Sequence, residues 1–104
     1  MELIFQNKYL KESVVLKKDI YANGGTTALC LRCADTGEPF MDITTNIPDI
    51  DLEDDELLIK NYSENEGVLE FLISNKLVED TGRRISNGFV EIPVVKMTEE
   101  LKKL

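Results

Sequence analysis

The fold is decided by residues 14–34, which read VVLKKDIYANGGTTALCLRCA. Apolar and polar side chains alternate along the first half of this stretch, and alternation with a period of two is typical of a half-buried strand. The residues expected to face inward are Val14, Leu16, Ile20 and Ala22. Asn23-Gly24-Gly25 supplies the positive φ angles of a tight turn, and Thr26 to Ala34 returns as a second strand. The stretch therefore predicts an antiparallel β-hairpin.

Further strands are predicted on both sides of this hairpin. Residues 35–39 predict a turn, and residues 41–47 alternate again as a third strand. Its inward positions are Met41, Ile43, Thr45 and Ile47, and the positions expected to face water are Asp42, Thr44 and Asn46. Pro48 ends this strand because proline has no N–H for a β-ladder. Leu3 and Phe5 indicate a short strand near the start of the sequence.

Two helices are predicted in the second half of the chain. Ser63-Glu64-Asn65-Glu66 has the form of a capping box, in which a serine hydroxyl and a glutamate carboxylate each accept from an otherwise unpaired backbone N–H. It predicts a helix from about Glu64 to Ser74, ended by Asn75 in a left-handed conformation. The expected apolar stripe is Val68, Leu69, Leu72 and Ile73, with Phe71 beside it. Thr98 is expected to cap a short helix over the last residues.

Two turn signals and another strand lie between these helices. Thr81-Gly82 and Ser86-Asn87-Gly88 each predict a turn, and residues 89–97 alternate as a strand with two apolar faces. Because Pro93 lacks a ladder donor, this strand is expected to lie at a sheet edge or to present Pro93 outward. Phe89 and Val95 would then form an apolar outer face, which is consistent with a homodimer.

These elements describe a single α+β domain over residues 1–104. The predicted architecture is a mostly antiparallel β-sheet arranged as a meander, with one main helix packed on one face and a short C-terminal helix. A chain of this length can form one compact core without disulfides or a structural metal. The apolar runs are far shorter than the roughly 20 residues that span a bilayer, and the acidic start is unlike a secretory signal. A cytoplasmic location without membrane association is therefore expected.

The charge of the chain is concentrated in one segment. Lys and Arg number 12 and Asp and Glu number 20, which gives a net charge of -8. Residues 49–56, called the acidic connector below, hold six of these acids, and without them the balance is 12 minus 14, or -2. The candidate interaction residues are Asp49, Asp51, Glu53, Asp54, Asp55 and Glu56. The acidity argues against direct nucleic-acid binding, because that affinity comes from cations that neutralise phosphates.

The composition excludes much enzyme chemistry. The sequence has no histidine, which removes Ser-His and Cys-His nucleophile pairs and His-ligated zinc sites. No glycine-rich phosphate loop leads into a helix, and the absence of Trp removes the usual aromatic platform for sugars. Arg83-Arg84 could hold one anion, but ordinary surface charge is the preferred explanation of this pair. We therefore expect no catalytic residues, no cofactor and no metal.

Two motifs imitate sites without completing them. Cys30-x-x-Cys33 lies in a predicted strand, where the odd separation directs the thiols to opposite faces and no helix N-terminus activates them. Buried or half-buried structural thiols are expected, with a regulatory or metal role as the alternative. Asp49-x-Asp51-x-Glu53 resembles the start of an EF-hand loop, but Asp54 replaces the required glycine and Lys60 the required glutamate. A solvated loop, weak cation binding and a functional acidic surface remain the alternatives for the connector.

Three segments carry a resemblance to a known family. They read DITTNIP at 42–48, IKNYSENEG at 59–67 and SNGFVEIPV at 86–94. In this order and spacing the chain resembles a family of small uncharacterised bacterial proteins, a domain of unknown function, typically carried by plasmids and integrative elements. The resemblance implies a compact α+β domain in a mobile-element setting and transfers no active site. The matching positions, expected at a strand end, a loop contact, a first helical turn and a hairpin turn, are Asn46, Asn61, Asn65 and Gly88.

Three functional hypotheses follow. The first is a non-enzymatic accessory protein of a bacterial mobile element that acts by binding another, unknown protein. The second is an acidic nucleic-acid mimic that occupies a DNA-binding protein through Asp51, Glu53, Asp54 and Asp55. The third is a small hydrolase or a cation-binding protein that uses carboxylates of the connector together with Glu64 or Glu66.

Overall fold

The structure is a computed structural model that describes residues 2–21, 27–47, 50–62 and 65–104. Its strands are β1 (Glu2–Gln6), β2 (Lys11–Ile20), β3 (Thr27–Cys33), β4 (Pro39–Asp42), β5 (Glu56–Leu58), β6 (Val78–Asn87) and β7 (Val90–Met97), and its helices are α1 (Val68–Ser74) and α2 (Glu99–Lys102). The strands pair antiparallel throughout, which confirms a small, mostly antiparallel domain. The two helices are short. Neither of them, in the part of the chain that the structure describes, is long and apolar enough to cross a membrane.

The strands form two sheets that are joined by backbone hydrogen bonds. The first sheet has the order β1-β2-β3-β4, as expected for a meander, and the second has the order β5-β7-β6. The residues after β4 pair with the end of β5, because Thr45 N donates to Leu58 O at 3.1 Å. Lys60 N likewise donates to Ile43 O at 2.7 Å. Within the described residues, the terminal strands are β1 and β4 in the first sheet and β5 and β6 in the second, and the single bridge at the junction lies beyond the ends of β4 and β5.

The main hydrophobic core collects side chains from both sheets and both helices. Phe5 of β1 is fully buried, and its ring meets the ring of Phe71 of α1 edge to face, with the centroids 5.3 Å apart. Phe40 of β4 approaches Phe5 in the same way at 6.1 Å. Edge-to-face packing is favoured between aromatic rings because it aligns a positive edge with a negative face. This aromatic group brings one side chain each from α1, β4 and β1 into contact.

The hairpin of β2 and β3 confirms the strand prediction with one exception. Val14 and Leu16 are buried, as predicted. Ile20 was predicted to face inward and is 66% exposed, because residues 17–20 of β2 extend past the core. Residues 22–26, which include the predicted Asn23-Gly24-Gly25 turn, lie outside the described residues.

Thr44 is buried, although the alternating pattern places it on the water-facing side of the third strand. It lies where the two sheets join and forms an isolated bridge with Ile59. Its hydroxyl oxygen accepts from Leu29 N at 3.1 Å and shares a hydrogen bond of 2.8 Å with the Tyr21 hydroxyl. A buried hydroxyl is tolerated when it is hydrogen-bonded. The strand predicted over residues 41–47 is found only in part, because β4 ends at Asp42 and only the bridge at Thr44 follows it.

Helix α1 begins at Val68 and not near Glu64. Gly67, the residue before it, has a φ of 92°, and a right-handed helix cannot continue through that backbone conformation. An acceptor for the helix N-terminus comes from further back in the chain, since Asn61 Oδ1 accepts from Leu69 N at 3.1 Å. The first two residues of the predicted capping box lie outside the described residues.

The end of α1 also differs from the prediction. Asn75 has a φ of -90°, and the left-handed residue is Lys76, with a φ of 60°. Asn75 instead donates from Nδ2 to Phe71 O at 2.8 Å. Ile73, predicted in the apolar stripe, is exposed, whereas Phe71 beside the stripe is buried and packs against Phe5 of β1.

Thr81-Gly82 forms a bulge within β6 and not a turn between two elements. β6 pairs with β7 on both sides of it, and the register shifts between Asp80 and Arg84. Gly82 has a φ of 84°, which residues with a side chain rarely adopt. Thr81 Oγ1 donates to Val94 O at 2.6 Å and so supplies a donor where the bulge interrupts the ladder.

β7 is the central strand of its sheet, so the edge position expected from Pro93 is wrong. The outward alternative is also wrong, because Pro93 is buried. Its carbonyl accepts from Ile59 N at 3.0 Å. The N and O atoms of a strand residue point to the same side, so the missing N–H faces the end of β5 and the ladder with β6 loses no bond. Val95, predicted on an outer face, is fully buried as well.

The structure confirms the predicted N-terminal cap of helix α2, and the helix packs into the main core. Thr98 Oγ1 accepts from Leu101 N at 3.4 Å and donates to Lys76 O at 2.7 Å. Lys18 Nζ of β2 donates to Lys102 O at 2.9 Å. Leu101 is fully buried in the main core. The helix therefore joins the two sheets instead of fraying.

Replacing Leu101 by alanine is expected to lower the free energy of unfolding by about 2 to 5 kcal/mol, because it removes a buried side chain and leaves a cavity. Leu104→Ala is the matched control, since Leu104 is 44% exposed and Leu101 is 0% exposed. The control should change stability by less than about 0.5 kcal/mol. Urea unfolding of both variants measures this difference. Equal effects would show that α2 does not contribute to the core.

Candidate interaction surface

The β6–β7 hairpin carries the most exposed large apolar side chain in the described part of the chain. Its strands pair regularly from Arg84 opposite Pro93 to Asn87 opposite Val90. Gly88 has a φ of 69°, which confirms the predicted hairpin turn. Phe89 follows at the tip, and its exposure of 109% means that the side chain has no covering neighbour.

A small second hydrophobic cluster supports this hairpin. It contains the buried residues Leu58, Ile92 and Val94 from the β5–β7 pair. The partly buried side chains packed against it are Ile47, Leu52, Ile85 and Val90. Leu52 belongs to the acidic connector, whereas Ile85 and Val90 belong to the hairpin. The connector and the hairpin therefore share one apolar base.

Hydrogen bonds shape the described part of the acidic connector, residues 50–56. Arg83 Nη1, from the bulge of β6, donates to Asp51 O at 2.9 Å. Glu53 N donates to Glu56 Oε1 at 2.9 Å, and Glu56 N donates back to Glu53 O at 3.0 Å. Glu56 is the first residue of β5. The connector is thus attached to β6 at one end and to β5 at the other, and Asp49 lies outside the described residues.

Asp55 is the most strongly engaged acid of the connector. Its carboxylate lies 3.6 Å from Lys96 Nζ and 3.7 Å from Lys102 Nζ, and its side chain is only 23% exposed. Its carbonyl accepts from Met97 N at 2.7 Å. These contacts attach the connector to β7 and α2. Asp55 and Glu56 therefore contribute to the structure of the connector more than to an open surface.

Asp51, Glu53 and Asp54 are exposed. Among the described residues, none of their carboxylates takes part in an ion pair. Together with Phe89 they form what we call the hairpin–connector surface. The structure thus separates the predicted acidic residues into an engaged pair and an exposed group, and it confirms the outward position predicted for Phe89.

The Asp80 carboxylate stabilises the bulge of β6 beside this surface through hydrogen bonds. Asp80 receives two hydrogen bonds of 2.8 Å from Arg84 and one of 2.9 Å from Gly82 N. The bonds from Arg84, followed by the backbone N–H, lower the pKa of Asp80 from 3.8 to about 2. Since Arg83 binds Asp51 O, both guanidinium groups of the predicted anion site have partners within the protein.

The two cysteines and the candidate metal ligands are the remaining motifs of the sequence. Cys30 and Cys33 are free thiols on β3 and both are half-buried, within the burial range predicted for them. In the ranges 2–21, 27–47, 50–62 and 65–104, no three His, Cys, Asp or Glu side chains are close enough together to hold a metal ion.

A family model supports the resemblance seen in the sequence. The model of a domain of unknown function, DUF4313, matches residues 15–104. The chain belongs to this family. No curated protein and no solved structure matches it. The family description names no reaction or partner and carries no information about plasmids or mobile elements.

Two of the motif positions have structural contacts that the sequence pattern does not specify. Asn65 is buried, and its Nδ2 donates to Asp42 O at 2.6 Å, which ties the segment before α1 to β4. Asn61 accepts from the N-terminus of α1, as described above. Asn65 therefore lies before the helix and not in its first turn. An asparagine between polar residues gives no local signal that it will be buried, because the neighbouring strand supplies the partner.

Replacing Asp80 by asparagine tests the charge that closes the bulge. A folded pKa of about 2, below the ordinary 3.8, means that the charged carboxylate stabilises the fold above about pH 4 and that this contribution disappears as the pH falls through 2. At pH 7 the variant is expected to lose about 1 kcal/mol, since the pair is partly exposed and screened by solvent. Unfolding in urea across this pH range provides the measurement.

The control for this experiment is Asp54→Asn, which removes an exposed charge without an ion pair. Its stability should match that of the parent protein at every pH. A deficit of the Asp80→Asn variant that stays constant down to pH 2 would contradict the assignment, because it would arise from packing and not from charge.

Proposed function

We propose that this protein is a non-enzymatic accessory protein that binds another protein through the hairpin–connector surface. The observation that carries the proposal is the fully exposed Phe89 at the tip of an ordered hairpin. Burying a phenylalanine side chain contributes about 1.5 to 3 kcal/mol, and aromatic residues are frequent among the few that dominate binding energy. The mobile-element setting implied by the resemblance is part of this proposal.

The support beneath Phe89 favours binding over incidental exposure. Gly88 sets the turn, and the apolar base containing Ile85, Val90 and Ile92 holds the hairpin in one conformation. A side chain on an ordered element loses less conformational entropy when it binds than one on a flexible loop. Phe89 is therefore suited to act as an anchor in a pocket of the partner.

The exposed acids of the connector indicate the character of the partner surface. Asp51, Glu53 and Asp54 are exposed, and Leu52 between them packs on the base of the hairpin. Exposed charges at the rim of an interface act mainly on association rate and partner choice. A partner with an apolar pocket and basic residues around it fits this arrangement.

The acidic-mimic hypothesis uses the same acids differently. A nucleic-acid mimic presents a row of uncompensated charges, whereas Asp55 is paired with Lys96 and Lys102. A mimic would not require Phe89. The hydrolase or cation-binding hypothesis relies on carboxylates of the connector, and their exposure without a shared partner gives it little support. Phe89 therefore separates the preferred function from both alternatives.

Site-specific crosslinking tests the proposal. Phe89 is replaced by photoreactive benzoylphenylalanine in the cells of origin, and the same amino acid at Ile20, an exposed position on β2, serves as control. One protein should be crosslinked from position 89 and not from position 20. With that protein purified, Phe89→Ala should weaken binding by a factor of about 30, as expected of an anchor residue worth about 2 kcal/mol.

The acids are tested with the same purified partner. The triple replacement Asp51→Asn, Glu53→Gln and Asp54→Asn should slow association and reduce its dependence on salt, with a smaller effect on dissociation. Unchanged affinity of Phe89→Ala would reject the proposal. Loss of binding only in the triple variant, with a DNA-binding protein as partner, would support the mimic. Crosslinks between two copies of the chain would identify a homodimer instead.

A further inference from the structure

A groove lies between the edge strand β1 and helix α1, away from the hairpin–connector surface. It has a volume of about 490 Å³. Its walls include Ile4, Gln6 and Lys8 on the side of β1, and Glu70, Phe71 and Ser74 on the side of α1. Pockets of roughly 300 to 1,000 Å³ hold peptide-sized or drug-sized ligands. The groove is therefore large enough for several side chains of a bound segment.

The register of β1 shows which backbone groups face this groove. In an antiparallel pair, alternate residues direct N–H and C=O toward the partner strand, and the residues between them direct these groups away. Ile4 pairs with Ser13 of β2, and Ser13 O accepts from Ala34 N on the opposite side, at 3.0 Å. Ser13 thus faces away from β1. The N–H and C=O groups of Ile4, and by the same alternation those of Gln6, point to the outer edge of β1.

No strand pairs with this edge among the described residues. An edge strand with unpaired N–H and C=O groups is a template for another extended chain. Natural edges are usually blocked by a bulge, a proline or inward-pointing charges. β6, a terminal strand of the second sheet, has such a bulge at Gly82, whereas β1 pairs with β2 without a register shift from Glu2 to Gln6. The edge of β1 is regular and open.

The side chains of the groove add an apolar contact and an acidic one. Ile4 is 58% exposed beside the nearly buried ring of Phe71. Lys8 Nζ lies 3.2 Å from the Glu66 carboxylate, so these two charges offset each other. The Glu70 carboxylate has no ion-pair or hydrogen-bond partner among the described residues. The groove therefore keeps one uncompensated negative charge next to an apolar surface.

We propose that this groove binds an extended segment of a partner protein, which adds to β1 as a further strand and places a Lys or Arg side chain against Glu70. Strand addition uses main-chain hydrogen bonds for affinity and side-chain contacts for specificity. The segment would pair with the outward groups of Ile4 and Gln6 and rest an apolar side chain on Ile4 and Phe71. A second copy of the chain fits less well, because symmetric pairing of two β1 edges brings a Glu70 from each copy to the same contact.

This site is separate from the hairpin–connector surface, so the two proposals can fail independently. Selection from a phage-displayed library of random dodecapeptides on the full-length protein identifies a probe. The enriched peptides should contain a Lys or Arg among β-branched residues. Absence of enrichment, or enrichment of peptides without a basic residue, would overturn the proposal.

One enriched peptide is then synthesised and tested against matched variants. Glu70→Gln should weaken its binding about fivefold or more, because a charge-assisted contact is lost. Glu79→Gln, at an exposed glutamate of β6, should leave the affinity unchanged. Phe89→Ala should also leave it unchanged, which separates this groove from the hairpin–connector surface. Equal weakening by Glu70→Gln and Glu79→Gln would show nonspecific attraction to an acidic protein.

Hydrogen exchange measures strand addition directly. The amide protons of Ile4 and Gln6 should exchange more slowly when the peptide is bound. Unchanged exchange at both amides, with the peptide bound, would overturn the proposed strand pairing.

Ile4→Pro removes one outward N–H from an edge position, where proline is tolerated, and should abolish binding while urea unfolding shows a retained fold. If Ile4→Pro unfolds the protein, Ser74→Trp, which fills the groove from α1, should abolish binding instead; retained binding contradicts the proposal. Dimers in sedimentation that depend on the β1 edge would replace the partner segment with a second copy.

Discussion

The junction between the two sheets is the contact on which the rest of the structure depends. Thr45 N and Lys60 N donate across it to Leu58 O and Ile43 O. Ile59 sits at its centre, fully buried, and donates in turn to Pro93 O of β7. Without these bonds the second sheet would have no ladder to the first. The acidic connector leads along the chain from the residues after β4 to β5. The strands on either side of the junction therefore determine where its described part lies.

The junction also explains why acidic residues of the connector differ so much in their surroundings. The end of the connector that enters β5 lies beside β7 and α2, where Asp55 meets two lysines. The part before it crosses the base of the β6–β7 hairpin, where Leu52 is held by apolar contacts and Asp51 by its carbonyl. Carboxylates along that part are left exposed. A net charge of -8 thus includes acids that contact lysines of the fold and acids that remain exposed.

Local patterns predicted the elements whose causes are local. The alternation around Val14 and Leu16, the turn at Gly88 and the cap at Thr98 each depend on a few neighbouring residues, and each was found. The predicted helix start near Glu64 failed because Gly67 has a left-handed conformation, and the predicted left-handed terminator Asn75 failed because Lys76 has that conformation instead. The prediction that Pro93 places its strand at a sheet edge failed for a similar reason. Its missing donor is harmless because it faces the end of β5 and not the ladder with β6, and β5 lies far away in the chain.

The sequence by itself determined the strand-rich class of this domain, its concentrated acidity and the absence of histidine chemistry, because composition and short-range periodicity suffice for these properties. Only the tertiary structure decided which acids remain exposed, that Phe89 stands uncovered while Val95 is buried, and that the outward groups of β1 open into a groove beside α1. Each of these depends on which surface a distant segment covers. Such contacts join segments that are far apart in the chain, so they leave no periodic signal in the sequence.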